Sequence, residues 1–273
     1  MDLQNQLEQF EKMLYERCGF RGKVVLGGSI VYGESCTYSD KDIYIVTKNI
    51  YDAMRLLRQK QTIITIKKEL DMSDHVILLS RGMLAKKLWY IYGHDNNKHI
   101  ITTKYDKKFV AITSIKIAYR ALGNVLQETN REKQVYMLGK SLLHAIYANK
   151  LRHDAYIQQP LFSIKNVYND VEDEVMKKIL HGKLRQDAVM VSDEDIVLVK
   201  KYLDEIWCEY RDKIFSYRAW FVRMIFAIKQ RQWKKIAMQY DRYIIEQLKT
   251  MIEQKNFKRW DEICRDVMQV LYI

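Results

Sequence analysis

The chain is poor in breakers. Its 273 residues contain one proline, Pro160, and ten glycines, none of them after Gly182. Proline and glycine are the residues that interrupt helices, so their scarcity predicts a mostly helical second half. The four cysteines, Cys18, Cys36, Cys208 and Cys264, are scattered and form no Cys-x-x-Cys pair. That spacing argues against a zinc knuckle or a dithiol redox site and predicts free, mostly buried thiols. No apolar run reaches the roughly 20 residues needed to span a bilayer, and the N-terminal MDLQNQLEQFEKML has no apolar signal core. A cytoplasmic protein is expected. Acidic residues are also in deficit: 46 Lys and Arg oppose 34 Asp and Glu, a formal net charge of +12. Such a balance favours anionic partners such as nucleotides, phosphorylated small molecules or RNA.

Among what is present, the stretch from Gly27 to Val46, GGSIVYGESCTYSDKDIYIV, carries the most chemistry. It opens on Gly-Gly-Ser, has a further glycine at Gly33, and ends in Asp40-Lys41-Asp42 before an apolar run. Two carboxylates at i and i+2 on a strand share a face. Hard carboxylate oxygens suit magnesium, which keeps phosphate oxygens in its shell. Two such ions, roughly 3.5–4 Å apart, steady both the attacking and the leaving oxygen of a displacement. Glycine lets backbone N–H groups approach phosphate closely.

This segment resembles the signature of the DNA-polymerase-beta-like nucleotidyltransferase superfamily. The matching residues are Gly28-Ser29, Gly33, Ser39-Asp40-Lys41-Asp42 and the apolar Ile43 to Val46. The spacing is similar to that of the small antibiotic (aminoglycoside and lincosamide) nucleotidyltransferases. The resemblance implies an α+β protein: a small mixed-sheet core over residues 1–105, then an all-helical bundle over 106–273. It implies transfer of a nucleoside monophosphate from an NTP, with ATP the first candidate, to an acceptor hydroxyl, with magnesium as cofactor. Asp40 and Asp42 are the implied metal ligands, and Asp74, at the head of the HVILL run, is the implied third carboxylate. Asp71 and Glu69 are its rivals. Ser29 would meet the phosphates, with Gly28, Gly33 and Ser39 shaping the turn.

Leu3, Leu7, Phe10, Leu14 and Cys18 recur at helical spacing. Lys23–Leu26, Ile43–Val46, Thr62–Ile66 and His75–Leu79 read as strands, and Ile50–Arg58 as a helix. The segment around HVILL is also similar to streptomycin-type adenylyltransferases, in which a helix ends in an aromatic-Gly pair; here that pair is Tyr92-Gly93. Beyond residue 108 the pattern is similar to kanamycin-type enzymes, with a long helix from Lys108-Phe109 ending in Gly123. Those enzymes keep carboxylates on that helix; this chain has none from Lys107 to Gln127 and instead has Lys116 and Arg120, four apart and so on one face. Both are expected at the cleft, near the triphosphate, where they would favour a neutral or anionic small-molecule acceptor over a polycation.

Between Asp212 and Asp241 there is again no acidic residue, and lysines and arginines alternate with aromatics. That mixture suits RNA, the alternative acceptor. As a bundle helix, the same stretch would turn Phe221, Met224, Ile225 and Ile228 inward and its cations outward. A third reading is an inactive nucleotidyltransferase-like binding module, which the intact aspartate pair disfavours.

Overall fold

The computed structural model describes residues 3–39, 41–72, 75–80, 92–95, 98–101, 105–153, 157, 160–185, 191–213, 215–229 and 231–267. Two expected ligands, Asp40 and Asp74, lie outside them. The described residues form ten α-helices and five strands, a mostly helical α+β protein. All five strands precede Lys107.

Helix α1 (Leu3–Cys18) buries Leu7, Phe10, Leu14 and Cys18, the stripe its periodicity predicts. Strands β1 (Gly22–Gly27) and β2 (Asp42–Thr47) pair antiparallel, and β2 pairs parallel with β3 (His75–Ser80). Parallel neighbours need a long crossover, here helices α2 (Ile50–Arg58) and α3 (Lys60–Glu69). β4 (Tyr92–Asp95) and β5 (Lys98–Ile101) complete a mixed sheet of order β3-β2-β1-β4-β5. Ile43, Ile45, Ile77 and Leu78 bury the centre of the sheet.

One expectation is corrected here. Thr62–Ile66 is helical, not a strand: Ile63, Ile66 and Leu70 are buried at spacings of three and four, which only a helix can aim at one core. Period over the whole segment overrides the β-preference of a Thr-Ile-Ile-Thr-Ile run. Tyr92-Gly93 opens strand β4, and the helix expected before it falls on residues 81–91, outside the described residues.

The helical part is built on α4 (Lys107–Gln127) and α5 (Arg131–Arg152), packed along their lengths. Ser141 Oγ donates to Ala118 O at 2.9 Å across that pair. Around it lie α6 (Glu174–Arg185), α7 (Asp193–Tyr210), α8 (Tyr217–Lys229), α9 (Tyr240–Glu253) and α10 (Trp260–Val267). Among the described residues, α4 is the one helix long and apolar enough to cross a membrane, and 72% of its apolar window is buried inside the protein. Burial by its own neighbours accounts for that composition.

Helix α4 does not end at Gly123 but runs four residues past it. Glycine is there for contact: a Cβ at Gly123 would sit 2.0 Å from Cη2 of the buried Trp260. Trp260 Nε1 donates to Asn124 Oδ1 at 2.7 Å beside it. Helix propensity alone would make Gly123→Ala stabilising by about 1 kcal/mol. Overpacking of a filled core costs about 1–3 kcal/mol, so the variant is expected to be less stable in urea unfolding. A gain in stability would show that α10 does not dock on α4 through Trp260.

Candidate functional site

The loop between β1 and β2 leaves the sheet where Gly27 pairs with Asp42. Gly28 follows with φ +75°, a left-handed conformation open to glycine. A Cβ there would also meet Asp42 Oδ2 at 2.7 Å. The glycine therefore does two things: it turns the chain, and it lets the Asp42 carboxylate lie against the backbone of the Gly28-Ser29 turn. Val31 N donates to Gly28 O at 3.1 Å and Glu34 N to Ser29 O at 2.9 Å, winding the loop into consecutive turns. Gly33, at φ +71°, is the second left-handed position. Ser39 has a local duty: its Oγ accepts from Cys36 N at 2.9 Å and lies 3.1 Å from Cys36 Sγ. The loop thus presents Ser29 and Asp42 and uses Ser39 to close its far end.

Strand β2 begins at Asp42 itself, and Lys41 is not part of it. The expected strand pair of carboxylates is therefore, among the described residues, one carboxylate at a strand mouth. His75, the residue after Asp74, is the register partner of Asp42. The rivals to Asp74 are otherwise engaged. Glu69 accepts from Arg17 Nη1 at 2.7 Å. Asp71, at φ +52°, forms the left-handed end of α3, followed by Met72 N donating to Lys67 O at 2.8 Å. Among the described residues no group of three His, Cys, Asp or Glu is placed to hold a metal. The observation that fits magnesium is the Asp42 oxygen held in the space a Cβ at Gly28 would fill, a hard donor beside backbone N–H groups.

The side chain that joins this loop to the rest of the molecule is Glu34, which sequence reasoning missed. Its carboxylate is 2% exposed. It accepts from Ser163 Oγ at 2.6 Å, Ile164 N at 2.8 Å and Lys165 N at 3.1 Å. Tyr147 of α5 donates from its hydroxyl to Ser163 O at 3.1 Å, tying the same turn to the bundle. A signal was available: Glu34 is the sole charged residue between Lys23 and Asp40. Tyr32, on the same loop, has its phenol pushed well above the usual range by burial, and then by the Asp42 and Glu34 carboxylates.

At the other end of the loop, Tyr38 donates to Glu132 Oε2 at 3.0 Å, and its ring lies 6.4 Å from that of Tyr136. Between these anchor points, α5 presents Tyr136, Lys140, His144 and Tyr147, a single stripe at spacings of four, four and three. The ammonium groups of Lys140 and of Lys183, from α6, lie 5.8 Å and 5.2 Å from the Tyr136 ring centroid. His144 is buried, stacks on Phe162 at 4.4 Å, and its Nδ1 has no hydrogen-bond partner. Burial, then Lys140 and Lys183, pull its proton affinity well below that of an ordinary imidazole. Leaving a buried polar atom unmade costs about 1–3 kcal/mol.

Lys116 and Arg120 are not at this loop. Lys116 is buried and its Nζ donates to Asp241 Oδ1 at 2.8 Å; Arg223 holds the other oxygen. Arg120 lies near Cys264 of α10, whose thiol is pushed up to about 11 by burial, against the pull of Arg120. Both side chains thus point at the C-terminal helices. Their expected places at a cleft with triphosphate and acceptor are corrected: α4 has no carboxylates because it is the core helix, and its two cations face internal partners. The inward stripe expected of α8 holds in part: Ile225 packs against the core and Met224 is half-buried, but Phe221 and Ile228 do not turn inward. Arg223 and Ala227 are buried, whereas Phe221 and Ile228 are 44% and 41% exposed. The demand of Asp241 for a second cation fixes that rotation.

No protein-family model, curated protein or solved structure matches this chain.

The Asp241 cluster generates a stability prediction. Burial raises the Asp241 carboxyl, but Lys116 and Arg223 outweigh it and hold the group below its ordinary value of 3.8. A depressed folded value means the contribution is full above about 3.8 and is lost as pH falls through the folded value. Asp241→Asn strands two buried cations and is expected to cost about 3–5 kcal/mol at neutral pH. Lys116→Met leaves Arg223 to satisfy Asp241 and is expected to cost clearly less. Urea unfolding of both variants checks this; equal and small losses would show that the cluster is solvated.

Proposed function

We propose that the protein is a nucleotidyltransferase that moves a nucleoside monophosphate from an NTP to an acceptor hydroxyl. The single observation that carries the reading is the junction of Gly28, Ser29 and Asp42. A left-handed glycine, a serine and a carboxylate at a strand mouth meet with no room for a Cβ between them. Such a junction suits a phosphate chain lying against backbone N–H groups with a hard oxygen ligand beside it.

In this reading the acceptor oxygen attacks the α-phosphorus and forms the new P–O bond. The bond from that phosphorus to the bridging oxygen breaks, and its electron pair leaves with pyrophosphate. Asp42, with Asp40 and Asp74, would hold magnesium, which when bound supplies charge neutralisation on the phosphates. We assign Asp74 as the group that receives the hydroxyl proton. The Ser29 hydroxyl and the loop N–H groups would orient the phosphates. Positioning of this kind supplies most of the catalysis in phosphoryl-type transfer.

The acceptor would be a small molecule lying between the loop and the helical part. Lys116 and Arg120 no longer argue about its charge. A second reading, an RNA end as acceptor, is favoured by one observation. The segment after Asp212 exposes Tyr217, Phe221 and Trp233 together with Arg231 and Lys234, a mixture that stacks on bases and tracks phosphates.

The test is transfer of label from each α-labelled NTP, with magnesium, into total RNA and a panel of hydroxyl-bearing small molecules. Label is expected in one pool. Asp42→Asn, which keeps shape and removes charge, is expected to lower the rate at least 100-fold, in the range of one lost charge-stabilising group. Near-normal magnesium-dependent transfer by Asp42→Asn would overturn the assignment.

A further inference from the structure

Ten large hydrophobic side chains stand exposed among the described residues, and six of them lie close together in the chain: Tyr217, Phe221, Ile228, Trp233, Met238 and Tyr243. Single exposed hydrophobics are ordinary, but a cluster marks a contact surface. On α8 they follow one line. Tyr217, Phe221 and Ile228, with the half-buried Met224 between them, recur at spacings of four, three and four, so they share one face. The face that packs inward is another, where Arg223 and Ala227 are buried. Beyond α8 the chain turns back at once: Arg231 N donates to Ile228 O at 3.1 Å and Gln232 N to Ala227 O at 2.8 Å. Trp220 Nε1 donates to Ile236 O at 2.8 Å and Arg223 to Ala237 O at 3.1 Å, which lays the turn Trp233–Ile236 along α8. Trp233, 64% exposed, and Met238 therefore stand beside the same helix. The charge around them has one sign. No acidic residue lies between Asp212 and Asp241. Arg223 and Lys235 are buried, but Lys213, Arg231 and Lys234 are exposed, and none of these three forms an ion pair among the described residues. The carboxylates at the edges are already matched: Asp212 by Arg211 and Arg242, Asp241 by Lys116 and Arg223, and Glu262, which feels Lys234, by Arg259.

We propose that this face docks the protein on an anionic lipid surface. The α8 line and Trp233 enter the headgroup level, and Lys213, Arg231 and Lys234 meet the lipid phosphates. The occupant follows from the charge and from the side-chain types. A second copy of the chain would bring the same cations together with no free carboxylate between them. A single strand of RNA would satisfy the charge and stack on the aromatic rings. Ile228 and Met238, however, are aliphatic; they add little to a base stack, whereas acyl chains reward their burial. Helices of this make-up lie in the membrane interface, with their apolar side among the upper acyl chains. Tyr and Trp, each an apolar ring with a polar tip, sit at the same depth. Anionic lipid attracts each nearby Lys or Arg in turn. Docking of this kind needs no spanning helix and is reversible. It goes beyond the transfer reading and does not rest on it.

The test is co-sedimentation of the full chain with vesicles of phosphatidylcholine alone and of equal parts phosphatidylcholine and phosphatidylglycerol, at low and high salt. Wild type is expected on the mixed vesicles only, and less of it at high salt. Replacing Lys213, Arg231 and Lys234 together by Gln is expected to weaken binding roughly 100-fold, about fivefold per cation. Phe221→Ser and Ile228→Ser keep the charge and are each expected to weaken it roughly tenfold. All these side chains are exposed, so urea unfolding of the variants is expected to match wild type. Lipids brominated in the acyl chain are expected to quench tryptophan emission, and Trp233→Phe to lose most of that quenching while still binding. No binding to the mixed vesicles, equal binding to both kinds, or equal binding by all variants overturns the proposal. Cation-dependent binding of a single-stranded RNA without vesicle binding overturns it in favour of RNA. Phe221-dependent self-association without vesicle binding overturns it in favour of a second copy. All arms run without NTP, so failure of the transfer reading leaves their outcome unchanged.

Discussion

One buried carboxylate joins the sheet to the bundle. Glu34 leaves the β1–β2 loop, reaches a turn 129 residues away, and accepts from one hydroxyl and two backbone N–H groups there. An ionised carboxylate taken out of water is costly unless its lone pairs are filled. Here three donors fill them, and each hydrogen bond to a charged group contributes more than a neutral one. The turn at 163–165 also gains, because the N–H of the buried Ile164 would otherwise lack a partner. The loop cannot leave the bundle without undoing both. The proposed function depends on that loop being held in place, since it carries Ser29 and leads into Asp42.

The second constraint is electrostatic and acts at the far side of α4. Asp241 draws Lys116 from α4 and Arg223 from α8 to one point. Arg223 also donates to Ala237 O at 3.1 Å and lies 5.6 Å from the Tyr240 ring. With that arginine turned inward, Phe221 and Ile228 of α8 face outward while Ile225 packs against the core. The same cluster takes Lys116 away from any substrate. A sequence rich in unopposed cations is thus partly a protein of internal ion pairs, and its surface charge is lower than a count by segment suggests.

Much of the fold was legible. The strands at 23–26, 43–46 and 75–79 are short apolar runs bracketed by polar or glycine positions, and α1 and α2 follow clear periods. The helical second half followed from the scarcity of glycine and proline, and the strands from the short apolar runs before it. What was illegible has physical causes. In Thr62–Ile66 a five-residue window reads as β, and only the buried Leu70 beyond it reveals the helical period. Gly123 looks like a stop signal because sequence does not show Trp260 arriving 137 positions later in the chain. Lys116 and Arg120 were correctly placed on one face, but a face has no address until its neighbours are known. At the candidate site, Gly28, Ser29 and Asp42 come together from one local motif. Glu34 left one trace, as the lone charge between Lys23 and Asp40, but its partners, like those of Lys140, Lys183 and His144, come from elements distant in sequence.

The most direct measurement of the central claim is amide hydrogen exchange on wild type and Glu34→Ala. The account predicts that the amides of Ile164, Lys165 and Glu34 are protected in wild type. In the variant they are expected to lose protection together, while the amides of α4 and α7 keep theirs. Fast exchange at Ile164 and Lys165 in wild type, or protection that survives Glu34→Ala, would contradict the claim that this carboxylate holds the loop to the bundle.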